Sequence, residues 1–281
     1  MNLGTVLLSS GILGGVGVGF AVLIAFAQRR FYVWEDPRID GVAGMLPGNN
    51  CGGCGLPGCR GFAEALVAGR IIPATCTAMN ADQRQEVAEF LGVEAGAATQ
   101  RVARLLCAGG QDVAVQRARY VGLATCAAAA AVATGGKACT WGCLSLGDCV
   151  RACDFSAMVM NENGLPVVIP ENCIACGDCV EACPKDLFIL MPIEHHLLVQ
   201  CRNLLDGDAA TALCRVACNG CRRCEADAPG LITIRDGLAV IDYERYDLAS
   251  PAATSRCPTG AIVWVEGAQF SEAPAQLERV A

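Results

Sequence analysis

The run CIACGDCVEACP puts Cys173, Cys176, Cys179 and Cys183 two, two and three residues apart, with Pro184 directly after. In this spacing the first three thiolates grip one 4Fe-4S cluster and the fourth reaches a second cluster. The chain must therefore fold back so that a partner run crosses this one. Two CxxC pairs around a single zinc ion need no such division.

Twenty cysteines in 281 residues exceed what a small secreted disulfide scaffold would hold, since such scaffolds are typically under ~80 residues. Metal ligation is the better reading. The two histidines, His195 and His196, are adjacent and no CxxCH occurs, which excludes attachment of a c-type haem. We assign the pair no chemical role. A net charge of −7 argues against nucleic acid as a partner, which calls for a basic stripe.

Residues 3–27 carry no charge and exceed the ~20 residues a transmembrane helix needs. Arg29 and Arg30 follow, and the positive-inside rule puts that end, and all that comes after it, in the cytoplasm. Ala25-Phe26-Ala27 resembles a signal-peptide cleavage site, but MNLG supplies no basic n-region. Gly11, Gly15 and Gly19 lie on one helix face and would let another membrane helix approach closely. Phe31, Tyr32 and Trp34 form an interfacial aromatic patch.

The expected fold class is α+β, with one N-terminal transmembrane helix, a small four-cysteine Fe-S domain and tandem bacterial-ferredoxin-like units. The boundaries expected are an anchor at 1–30, the four-cysteine domain at 31–95, and a connecting segment with single cysteines at 96–136. A two-cluster unit at 137–200, a degenerate one-cluster unit at 201–265 and a mobile tail at 266–281 complete the chain. Helices are expected over 60–68 and 81–94, and a buried helix over 124–133. Apolar alternation around Asn163-Gly164 and again around Asp236-Gly237 predicts two hairpins, each between two cysteine runs.

Crossed ligation assigns Cys139, Cys143, Cys149 and Cys183 to one cluster and Cys153, Cys173, Cys176 and Cys179 to the other. The run from Cys139 to Cys153 is looser than CxxCxxCxxxC. In the second unit Cys218, Cys221, Cys224 and Cys257 remain. Ala228, Tyr246, Ala249 and Ala252 stand where the other four ligands would be. Since the missing thiols are those that would share one cluster, one cluster is expected here. Cys51, Cys54, Cys59 and Cys76 form a further set, whose surrounding glycines let backbone amides point at sulfur; zinc is the alternative there. Cys107, Cys126, Cys201 and Cys214 are isolated in sequence, and isolated cysteines are commonly small core residues. Because they too number four, they are a candidate fifth set. The expected cofactors are thus four 4Fe-4S clusters, or five.

The apolar N-terminal helix, CGGCGLPGC with Cys76, CTWGCLSLGDC, CIACGDCVEACP and a second ferredoxin-like unit together resemble the RnfB family, the iron-sulfur component of the Rnf electron transport complex, in its long polyferredoxin form. The resemblance covers nearly the whole chain. It implies an electron-carrying subunit of a membrane ferredoxin:NAD oxidoreductase that translocates sodium or protons. Soluble ferredoxin would be the donor, integral membrane subunits the partners, and the plasma (inner) membrane the location. No nucleophile–base pair, GxGxxG after a strand or P-loop is present, so no catalytic pocket is expected. Two other readings stand beside this one: a relay in a membrane hydrogenase or formate-oxidising complex, and a membrane-tethered redox sensor. Lys137, Arg151, Lys185, Arg222 and Arg223 flank the cysteine runs, either to steer an acidic ferredoxin or to offset cluster charge.

Overall fold

The computed structural model describes residues 3–31 and 34–270; Tyr32 of the aromatic patch and residues 271–281 of the tail lie outside them. Helix α1 (Leu3–Arg30) includes a stretch, Ser10–Arg30, of mean hydropathy 2.1 with none of it buried. Burial within the protein therefore does not account for its apolar side chains. The stretch is long and apolar enough to cross a membrane.

Three helices build the first domain: α2 (Pro37–Met45), α3 (Gly58–Val67) and α4 (Ala81–Leu91). The second falls near the expected 60–68, and the third stops before residue 94 because Gly92 takes a left-handed C-cap. Asn80 and Gln83 form a capping box at the start of α4. Val42, Phe62, Leu66 and Val87 pack between these helices as a separate core.

Two pseudo-repeated units follow, and their limits differ from those expected. In the first, β1 (Arg101–Leu105) pairs antiparallel with β4 (Phe188–Pro192), Arg101 opposite Pro192 and Leu105 opposite Phe188. Between them lies the hairpin of β2 (Met158–Met160) and β3 (Pro166–Val168). The second unit repeats this plan. There β5 (Leu197–Val199) pairs with β8 (Ile262–Trp264), enclosing the hairpin of β6 (Ile232–Arg235) and β7 (Leu238–Ile241). The segment expected as a connector thus supplies the first unit's opening strand, and β5 belongs to the second unit. Strand pairing outweighs the boundary suggested by cysteine density, because a lone strand leaves its amides unpaired. At the second hairpin Asp236 and Gly237 both take positive φ, 49° and 75°, as a type I′ turn requires.

The remaining helices are short: α5 (Cys126–Ala131), α6 (Asp148–Arg151), α7 (Asp178–Glu181), α8 (Gly207–Thr211) and α9 (Arg223–Asp227). Of these, α5, α6, α7 and α9 each carry a thiol. In the second unit, aromatic packing takes the positions of the missing ligands. The Tyr246 hydroxyl accepts the amides of His196 at 2.5 Å and Leu197 at 3.0 Å. Its ring stacks on His195 at 3.8 Å, with Tyr243 alongside. Burial holds the His195 pKa below its ordinary value, and the His196 ring nitrogen Nδ1 lies 2.8 Å from the Val265 carbonyl oxygen.

Residues 266–270, expected as the start of a mobile tail, are docked on β1. The Gln269 side chain accepts the Leu105 amide at 2.9 Å and donates to the Leu105 carbonyl at 2.7 Å. Arg104 donates to the Gly267 carbonyl at 2.7 Å. Gln269 is buried and completes the outer edge of β1 as an added strand would. Gln269→Ala would leave two buried backbone groups unpaired, at a cost of about 2 kcal/mol. A lowered melting temperature, followed by cluster absorbance, with faster exchange at the Leu105 amide, is the expected result.

Candidate iron-sulfur sites

The loop before α3 carries Cys51 and Cys54, Cys59 sits in the first turn of α3, and Cys76 follows a 3-10 turn at Pro73–Thr75. The four line one cavity with Leu46 and Phe62. Asn50 ties the loop down by accepting the Cys59 amide at 2.9 Å. The Cys76 sulfur accepts the amides of Ala78 and Met79. On its outer side this loop meets the first ferredoxin-like unit. A Cβ built on Gly53 would stand 3.1 Å from the Cys176 Cα, which is why that position holds no side chain.

Cys153, Cys173, Cys176 and Cys179 gather in the first unit. Burial pushes the Cys179 thiol up to about 12, and Cys173, Cys176 and Cys153 lie within its field. The short helices α6 and α7 set the crossing: Cys149 and Cys179 sit within them, and Cys153 and Cys183 just beyond.

A second group of thiols in this unit lines a cavity and departs from the expected set. Its thiols are Cys126, Cys143, Cys149 and Cys183, with Cys126 where Cys139 was expected. Local chemistry explains the exchange. Thr125 caps α5 by accepting the Ala128 amide, the Ala127 amide donates to Asp148 at 3.0 Å, and Arg151 donates to the Ala124 carbonyl at 3.2 Å. These contacts fasten the start of α5 to α6, which carries Cys149. Cys139 is drawn elsewhere. The Ala138 amide donates to Val115 at 2.9 Å, and the same 113–117 segment bridges Ala114 to Cys214. Cys139 therefore lines a different cavity, with Cys107, Cys201 and Cys214.

Cys218, Cys221, Cys224 and Cys257 line a fourth cavity between α9, the β6–β7 hairpin and β8. Cys257 is half-buried, and its thiol is held below the usual range despite burial, because it accepts the amides of Ile262, Thr259 and Ala261 and the Thr259 hydroxyl. Among the twenty thiols Cys221 is the exposed one.

The four thiol-lined cavities are similar in size, 330–370 Å³ each including the space at their mouths. Among the described residues no three Cys, His, Asp or Glu donors close on a point that a single metal ion would touch. The thiols instead surround a cavity, the arrangement a multi-iron cluster needs. Two buried cations add to the fit. Arg104 is 1% exposed, with Nε and Nη2 unpartnered, and it lies in the field of Cys173. Lys137 is 5% exposed; its Nζ donates to the carbonyls of Gly109 at 2.5 Å and Cys143 at 2.6 Å. Neither has a carboxylate partner among the described ion pairs. Buried cations call for nearby negative charge, which thiolate-ligated clusters supply.

Comparison with known proteins agrees with this chemistry. A family model described as "Putative Fe-S cluster" matches residues 46–78, and one described as "4Fe-4S dicluster domain" matches 134–188. The chain is 42% identical over 244 residues to the RnfB protein of the Na(+)-translocating ferredoxin:NAD(+) oxidoreductase complex of Acetobacterium woodii, covering 86% of this chain and 73% of that one. It is 36% identical to the corresponding protein of the ion-translocating oxidoreductase complex of Methanosarcina acetivorans, over 90% of this chain and 96% of that one. The chain belongs to the RnfB family of the ion-translocating oxidoreductase (Rnf) complexes. The relative from the proton-translocating ferredoxin:NAD(+) oxidoreductase complex of Clostridium ljungdahlii is 36% identical over 92% of both chains. As a member of the RnfB family with an N-terminal apolar helix, the protein is a membrane-associated iron-sulfur electron-transfer subunit.

Sequence reasoning missed the exchange of Cys126 and Cys139. The available signal was the spacing CTWGC at 139–143, which recurs as CRVAC at 214–218. Replacing the buried guanidinium in Arg104→Gln removes a positive charge beside Cys173. A reduction potential lowered by some tens of millivolts in one cluster is expected, because loss of nearby positive charge disfavours the reduced form. An EPR-monitored redox titration reads it, and a titration superimposable on the wild type would refute the assignment.

Proposed function

We propose that the protein relays electrons from soluble ferredoxin to integral membrane subunits of an Rnf-type complex on the cytoplasmic side of the membrane. Four sets of thiols hold 4Fe-4S clusters: Cys51, Cys54, Cys59 and Cys76; Cys153, Cys173, Cys176 and Cys179; Cys126, Cys143, Cys149 and Cys183; and Cys218, Cys221, Cys224 and Cys257. Each cluster stores one electron when reduced, and the protein sets its potential through sulfur hydrogen bonds and burial. Arg29 and Arg30 at the end of α1 support the cytoplasmic placement.

The approach of Gly53 to Cys176 carries this reading. A domain that only anchored the chain would have no need to press its cysteine loop, stripped of side chain, against a cluster loop of its neighbour. Six residues, 31–36, separate α1 from α2, a reach of at most about 20 Å. The set at 51–76 is thereby kept near the membrane, where it can meet membrane subunits. At the other end of the chain the exposed Cys221, with exposed Arg222 and Arg223, offers the donor an approach. Arg222 is paired with Glu225 at 3.0 Å and Arg151 with Asp148. Lys137 is buried and Lys185 lines the first unit's cavity, so Arg223 is the steering charge beside Cys221.

Two tests address this reading. In anaerobic stopped flow with the full-length protein, reduced ferredoxin should bleach the cluster absorbance. Arg223→Glu should slow the second-order phase several-fold at low salt and lose that effect at high ionic strength. Absence of bleaching would overturn the relay. Separately, Cys126→Ser should remove about four iron atoms per chain, one cluster's content, as measured by iron and acid-labile sulfide analysis. An unchanged count would return Cys126 to the core residues.

A further inference from the structure

The two units are equivalent position by position. The Leu106 amide donates to the Leu187 carbonyl at 2.7 Å, just before β4, and the Gln200 amide donates to the Ala261 carbonyl at 2.7 Å, just before β8. Cys107 and Cys201 each follow directly, two residues past β1 and β5. The C-x3-C runs supply a second matched pair, Cys139 with Cys214, whose partners Cys143 and Cys218 line the two flanking cavities. Each unit thus sends the same two cysteines into the cavity between them.

The surroundings of these thiols match those of cysteines in the other sets. The Gly109 amide donates to Cys107 at 3.4 Å and the Asn203 amide to Cys201 at 3.4 Å. Cys139 accepts from Trp141 and Cys214 from Val216. All four sulfurs therefore accept the amide two residues on, as do Cys76, Cys143 and Cys176. Gly109 brings bare backbone up to the cavity. A Cβ there would lie 3.3 Å from the Cys214 sulfur and 3.5 Å from that of Cys107. Lys137, a cation without a carboxylate, lines the same cavity. Four unrelated core cysteines would show none of this order.

We propose that Cys107, Cys139, Cys201 and Cys214 ligate a fifth 4Fe-4S cluster at the junction of the two ferredoxin-like units. It joins the sites on either side into one unbranched line. The inference rests on the relay reading above. The links are matched as well: the Cys143 amide donates to the Cys107 sulfur at 3.4 Å, and the Cys218 amide donates to the Cys201 sulfur. On each side, a ligand of the flanking site thus touches a ligand of the central one. From the membrane outward, the order of sites is Cys51–Cys76, Cys153–Cys179, Cys126–Cys183, Cys107–Cys214, Cys218–Cys257. Without the central site, the second unit would have no link to the rest.

The test is iron and acid-labile sulfide analysis with EPR on full-length, detergent-solubilised protein purified anaerobically, as wild type, Cys107→Ser and Cys201→Ser. The expected wild-type content is about 20 irons per chain, five clusters of four. Each variant should lose about four irons and the same EPR component, the variants matching because they open the same site. In both, ferredoxin should still reduce the Cys218–Cys257 cluster at the wild-type rate, while reduction of the others slows at least tenfold. A wild-type content near 16 irons, unchanged in both variants, would overturn the fifth site and leave the relay standing. Zinc without iron would overturn both. Should a variant fail to accumulate, the wild-type content alone decides between 20 and 16.

Discussion

The main cores of this protein are organised around placing sulfur ligands, and through them negative charge, out of water. Burial, reinforced by neighbouring thiols, drives the thiols of Cys143, Cys149, Cys179 and Cys201 up to about 12. Iron ligation needs thiolates, and bound metal supplies the positive charge that keeps them deprotonated. The polypeptide adds amide donors at fixed offsets from the sulfurs and two buried cations, Arg104 and Lys137. Ordinary apolar packing is thin by comparison. Each unit's sheet is two strands wide and its helices run four to six residues. Cluster binding and folding are therefore one process, as in small metallodomains where ligand convergence replaces a large core.

The pseudo-repeat has a division of labour. In both units the hairpin and the terminal strand pair form the frame, and the cysteines differ around it. The insertion between β1 and α6 lets Cys126 enter a site that a compact CxxCxxC run would have completed locally. Cys139 is thereby released to face Cys214. The irregular spacing thus accompanies a run whose thiols line two neighbouring cavities.

Much of this was legible from sequence because it depends on short-range rules. The CxxCxxCxxxCP spacing, the hairpin turns at Asn163-Gly164 and Asp236-Gly237, the apolar helix and the capped helix after Asn80 all act within a few residues. Three features were not legible. The start of the first unit at Arg101 depends on pairing with Phe188–Pro192, some ninety residues away. Cys126 is placed by Asp148 and Arg151, whose side chains could have served many partners. Gln269 looks like part of a polar tail until its amide is found paired to Leu105. In each case the position is fixed by a hydrogen bond to residues distant in sequence.

The second unit shows what happens to a cluster position after its ligands are gone. A void would have cost the lost contacts of every residue lining it. Tyr243 and Tyr246 fill the region instead, their hydroxyls bonded to the backbone of His196 and Leu197 and their rings stacked with His195. The retained set is the one whose Cys218 amide reaches Cys201. The lost set would have stood beyond it, as a side branch or a further step. Aromatic packing there preserves the frame that holds β5, and with it Cys201, in position, so the unit stays folded around the one site that touches the rest of the line.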